Sequence, residues 1–214
     1  MPSTTVMMSI GMLFISFLVG FIFYYILSEE SKDRKKKQLD HVLSLLINFI
    51  IFIWVGKILL NMKTFFQDPL AILAYPSNNG AFYIAFVLTM FYIAYQIYRK
   101  KLDGIDLFTT FVPIFAAASF IFEFFQLVVE ENHYAWKPLI LWMILLFAYL
   151  LLQGRIRQVQ LNLLIFTSWG IGQLILYVIN VNPSIFGYVV TPLFYVILIL
   201  GSTVTVYSYK RKVL

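Results

Sequence analysis

The fold turns on the stretch Ile105 to Val129, IDLFTTFVPIFAAASFIFEFFQLVV. At about 1.5 Å of rise per residue, a helix of this length crosses the roughly 30 Å hydrocarbon core of a bilayer. Asp103 precedes it, and Glu130 and Glu131 follow it. Glu123, however, lies well inside the run. A carboxyl group at membrane depth is costly and persists where it faces a bundle interior or a polar cavity, so Glu123 marks a candidate site. Its basic counterpart is Lys57, inside the run WVGKILLNM.

The rest of the chain agrees with a membrane setting. Of 214 residues, 61% are hydrophobic and 12% charged, with 22 Phe and 14 Tyr; a soluble domain carries about 25% charge. The composition is that of an integral membrane protein. With no cysteine, disulfides, thiolate metal sites and cysteine nucleophiles are excluded. The net charge of +6 sits in short clusters between apolar runs, a pattern of membrane topology rather than of nucleic-acid binding.

Seven runs meet or nearly meet the length and apolarity of a span: Val6–Leu27, Val42–Asn61, Gly80–Tyr98, Ile105–Val129, Trp136–Leu152, Gln160–Asn180 and Tyr188–Tyr207. The first lacks a basic n-region and is too long for a signal-peptide core, so it counts as a span. Basic residues fall in alternate connections: Lys32, Arg34, Lys35, Lys36 and Lys37; Arg99, Lys100 and Lys101; Arg155 and Arg157; Lys210, Arg211 and Lys212. The other side holds only Lys63 and Lys137, beside Asp68, Glu130, Glu131 and an uncharged VNPSIFG. That asymmetry predicts an all-α, multi-pass protein with its N-terminus outside, its C-terminus cytoplasmic and a single transmembrane domain over 1–214. Between the second and third runs, residues 64–79 contain PLAILAY, too short to span and bounded by Asp-Pro and Pro-Ser-Asn-Asn. It reads as an interfacial or re-entrant segment, with an ordinary apolar loop as the alternative.

In this topology Lys57 lies about 6 Å and Glu123 about 9 Å below the outer ends of their helices, at 1.5 Å per residue. An ion pair is therefore open to them if their helices are neighbours; otherwise Lys57 snorkels to the outer surface. Ser119, Glu123 and Gln126 share one helical face, and Gln173, Tyr177 and Asn180 share another. With Asn61 and Lys57 they suggest an outward-opening polar cavity lined by the second, fourth and sixth runs, the alternative being interhelical hydrogen bonding. Pro113 removes one helical hydrogen bond and frees a carbonyl. Gly170 and Gly172 suit close helix approach. His41 and His133 fall on opposite faces in this topology and cannot share a metal, and no cofactor motif is present.

The segment FFQDPLAILAYPSNNGAFYIAFVL, followed by RKKLDGIDLFTTFVPIF, resembles bacterial prolipoprotein diacylglyceryl transferase in order and spacing, from the first run to Arg211. That family moves diacylglycerol from phosphatidylglycerol to the cysteine thiol of lipoprotein precursors. The resemblance implies a seven-span fold in a bacterial cytoplasmic membrane. It also marks departures. The family's His-Gly-Gly falls on GAFY, Gly80 to Tyr83. Its Gly-Arg-x-Gly-Asn-Phe falls on FEFFQL, Phe122 to Leu127, with Glu123 at the arginine and Gln126 at the asparagine. Its His-Pro-Thr-x-x-Tyr-Glu becomes KPLILWM, keeping Pro138, and its sixth-helix pattern becomes Gly172, Gln173, Tyr177 and Asn180. Lys57 matches the family's basic residue of the second helix, and the outer head segment is reduced to a short loop.

Arginines pair bidentately with phosphate, whereas Glu123 repels it; thiol activation needs a positioned base that this pattern lacks. The expectation is a non-catalytic relative binding a membrane lipid, phosphatidylglycerol among them, a lipoprotein or a membrane-protein partner. Two alternatives stand beside it: an enzyme acting on a lipid-linked group with Glu123 as acid or base, and a small transporter using Lys57 and Glu123. No nucleic-acid partner, metal or cofactor is expected.

Overall fold

In hydrocarbon an apolar chain must satisfy its backbone from within, which favours helices. The structure, a computed structural model, describes residues 4–69, 78–182 and 184–213, with side chains described for 7–69, 78–182, 184–204 and 206. In chain order the elements are α1 (Thr4–Leu27), α2 (Lys32–Leu60), α3 (Met62–Gln67), α4 (Asn79–Tyr98), α5 (Gly104–Val128), α6 (Trp136–Leu152), α7 (Gln158–Val178), β1 (Ser184–Ile185), β2 (Tyr188–Val189) and α8 (Pro192–Val213). By length and composition α1, α2, α4, α5 and α7 can each cross a membrane; α6 and the Pro192–Val204 part of α8 are shorter apolar helices. Large apolar side chains such as Phe14, Ile50, Phe91, Phe147 and Ile175 point outward, as a lipid-facing surface requires.

Two helices begin well away from the starts of their apolar runs. α2 begins at Lys32 rather than Val42, because its Lys, Arg and Gln residues are good helix formers outside any apolar window. The last helix begins at Pro192 rather than Tyr188. Tyr188 and Val189 instead pair with Ile185 and Ser184 in a hairpin, and Pro192 suits a first helical position, where no N–H is needed. The core of the expected interfacial segment, 70–77, lies outside the described residues. On its two sides, α3 buries no side chain, and the Asn78 side chain caps α4 by accepting from the Ala81 N–H at 2.9 Å.

The described residues form two units: 32–107, and 4–31 with 108–213. In the first, α2 packs on α4. A Cβ on Gly56 would fall 2.8 Å from the Ala81 carbonyl oxygen, so only glycine permits this approach. Phe49 meets Phe82 edge-on at 5.6 Å, and Arg34 bridges to Asp106 at 2.9 Å on the surface.

The second unit is built around α5. In its most apolar stretch 56% of residues are buried, against 22% for α1, so α5 is the core helix and α1 a peripheral one. Ala116, Ala117 and Ala118 keep α5 slim at its middle. A Cβ on Gly20 of α1 would fall 2.5 Å from the Ile114 carbonyl oxygen; Gly172 of α7 faces Leu141 of α6, and Gly170 faces Ile199 of α8. Pro113 sits inside α5. The residue four positions earlier, Thr109, has its carbonyl accept from the buried Asn162 amide of α7 at 3.2 Å. A neighbouring helix thus supplies a donor where proline cannot.

Aromatic rings fill the centre of this unit. Trp169 stacks on Trp142 at 5.5 Å and meets Phe115 edge-on at 4.9 Å and Tyr195 at 5.5 Å. These offset and edge-on pairings are the arrangements that ring quadrupoles favour.

Candidate functional site

Helical spacing puts Ser119 and Glu123 one turn apart on α5, and both are buried, Glu123 at 6% exposure. They open onto a cavity of about 10 Å³, room for roughly one water-sized group. Phe115 and Phe122 of α5, Trp142 of α6 and Trp169 of α7 line it, and Ser184, Ile185 and Phe186 of the hairpin complete the wall. Among the described residues of this unit, neither the Glu123 carboxyl nor the Ser119 or Ser184 hydroxyl makes a side-chain hydrogen bond or ion pair. Glu123, Ser119 and Ser184 thus line one small cavity together with five aromatic residues.

The hairpin has a two-residue turn, Phe186-Gly187, with Ser184 paired to Val189 and Ile185 to Tyr188. Phe186 has φ 48° and Gly187 φ 86°. Positive φ at both central residues is the type I′ pattern that suits the twist of a tight hairpin. Glycine adopts it freely; a bulky side chain does so only under strain. The Phe186 ring holds the conformation by packing on Phe17 at 4.8 Å, Phe122 at 5.4 Å and Phe115 at 5.8 Å. Phe186 is thus a wedge set into the aromatic core at the wall of the Glu123 cavity.

The other sequence candidates are distributed more widely. Lys57 is 7% exposed and belongs to the first unit, where its ammonium lies 5.1 Å from the Trp54 ring centroid, within cation–π range. Asn61, one turn on, donates to the Lys57 carbonyl at 2.9 Å. In the second unit Gln126 is half-buried, and its carbonyl accepts from the Asn132 N–H. Gln173 is buried with its Oε1 lacking a partner among the described residues, as are Asn162 Oδ1 and Trp169 Nε1 on the same helix. Tyr177 is 47% exposed. Asn180 is exposed at φ 60° and ends α7: its N–H reaches the Tyr177 carbonyl, and that of Val181 reaches Leu176. This is a Schellman cap, a position that Asn tolerates. The cavity wall comprises Ser119 and Glu123 from the expected set, and not Gln126, Gln173, Tyr177 or Asn180.

Ser184, Phe186, Trp142 and Trp169 were not anticipated as site residues. A hairpin signal was present in SIFGYV, a glycine between β-prone residues; the tryptophans carry no sequence mark that separates a pocket wall from core. Among the described residues, no group of three or more His, Cys, Asp or Glu side chains is placed to hold a metal. No family model, curated protein or solved structure matches the chain.

Proposed function

We propose that this is a non-catalytic membrane protein that binds the terminal group of a lipid, lipoprotein or membrane-protein partner in the Glu123 cavity. We place it in a bacterial cytoplasmic membrane with seven spans, N-terminus outside, as a divergent relative of the prolipoprotein diacylglyceryl transferases. The alternation of basic clusters supports the orientation. The five long and two shorter apolar helices supply the material for seven spans, α6 having the 17 residues of a minimal one.

The observation that carries the binding reading is the cavity wall itself: one carboxyl-bearing residue, two hydroxyl-bearing residues and otherwise aromatic or aliphatic side chains. Chemistry on a lipid ester or thiol calls for a nucleophile oriented by a base, with donors aimed at developing charge. A lone carboxyl in an aromatic shell suits recognition of one polar group, with the rest of the ligand left outside. Ser119 and Ser184 favour a second reading, an enzyme in which Glu123 takes a proton from a bound hydroxyl or water.

The binding reading predicts that protein purified in mild detergent keeps about one lipid or lipopeptide per chain by native mass spectrometry. Glu123→Gln, which preserves shape, should lose it while helix content by circular dichroism stays unchanged. Equal retention by both proteins would contradict a site at Glu123.

A further inference from the structure

Resting on that binding reading, the geometry points to a specific ligand chemistry: we propose that the Glu123 cavity receives a primary ammonium group, –NH3⁺, on an amine-bearing lipid or a small soluble amine. Four observations converge. Glu123 is 6% exposed and its carboxyl has no partner among the described residues of its unit, and a buried carboxylate left unpaired demands a cation or donor. An ammonium has three donors and no acceptor; Glu123, Ser119 and Ser184 offer three acceptor groups around one small space. The remaining wall is dominated by the aromatic residues Phe115, Phe122, Trp142, Trp169 and Phe186, a residue type that attracts cations. The volume of about 10 Å³ admits a water-sized head and excludes a trimethylammonium group. A phosphate or a glycerol head is disfavoured by the carboxylate and by size.

The same chemistry exists within the chain, in Lys57, so the test must separate the two. Purified protein is placed in nanodiscs of mixed phosphatidylethanolamine, phosphatidylcholine and phosphatidylglycerol, and the lipids retained after extraction are counted by native mass spectrometry. Ethanolamine is titrated separately against intrinsic tryptophan fluorescence. Wild type should retain phosphatidylethanolamine over phosphatidylcholine by about tenfold, the effect of one charge-assisted hydrogen bond. Glu123→Gln should abolish the preference, Ser119→Ala should weaken it, and Lys57→Met should leave it in place. Ethanolamine binding that is lost in Glu123→Gln, without lipid selection, would support the same proposal with a soluble source.

Equal retention of the three lipids with no ethanolamine response would overturn the ammonium proposal while leaving the binding reading intact. No retention of any lipid or amine would overturn both. Selection absent from wild type but gained in Lys57→Met would assign the cavity to that lysine and overturn the proposal for an external amine.

Discussion

At the scale of single residues, Pro113 shows how a local defect becomes a tertiary tie. Proline was legible as a break in α5, and the carbonyl it frees follows from covalent geometry. The identity of its partner was not, since Asn162 lies far along the chain and any polar residue on a neighbouring helix qualifies. Asn162→Leu is expected to lower stability by about 1 kcal/mol, the worth of one hydrogen bond, read as a lower unfolding midpoint in detergent. Adding Pro113→Ala should recover much of that loss by restoring the helical N–H, an effect a double-mutant cycle detects as coupling. Glu123 and Ser119 were readable for a similar reason: charge in hydrocarbon and a spacing of four. Asn180 was read as cavity-lining because a polar residue at the correct helical interval has two uses. Its backbone caps α7, with φ 60°.

At the scale of elements, small residues decide which helices touch. Gly20→Ala puts a Cβ 2.5 Å from the Ile114 backbone oxygen, whereas Gly172→Ala meets side chain alone, the Leu141 methyls at 2.6 and 2.7 Å and its Cγ at 3.2 Å. Backbone cannot yield and a leucine tip can. Gly20→Ala is therefore expected to cost about 1–3 kcal/mol, and Gly172→Ala to be near neutral, its helix-propensity gain offsetting a rotamer change. Thermal unfolding of both variants in the same detergent checks the order. The hairpin was the element least visible in the sequence. Two residues per strand give no alternation to read, and Tyr188-Val189 merges with the apolar run that follows. Phe186→Ala should destabilise by at most about 3 kcal/mol, the ring being half-buried. It should also speed exchange of a fluorescent lipid, because the wedge beside Glu123 is gone. Slower or unchanged exchange would remove the hairpin from the ligand's path.

At the scale of the whole molecule, the helical membrane class was readable because composition and run length are global properties, insensitive to the position of any one side chain. The cavity was only partly readable: α5 supplied Ser119 and Glu123, but its other walls come from α6, α7 and a hairpin distant in sequence. The absence of native cysteine makes the proposed orientation directly testable. Single cysteines at Glu131 and at Lys100 should react with a membrane-impermeant maleimide from opposite sides, Glu131→Cys in intact cells and Lys100→Cys only after lysis. Labelling of both in intact cells would contradict the seven-span topology.

We propose that this chain binds through Glu123 without turning a substrate over. The most direct measurement is a transfer assay on purified protein with phosphatidylglycerol and a lipobox cysteine peptide, an active diacylglyceryl transferase serving as positive control. No thioether product is expected from wild type or Glu123→Gln, even though wild type retains its ligand. Product formed by wild type and lost in Glu123→Gln would contradict it and make Glu123 a catalytic acid or base.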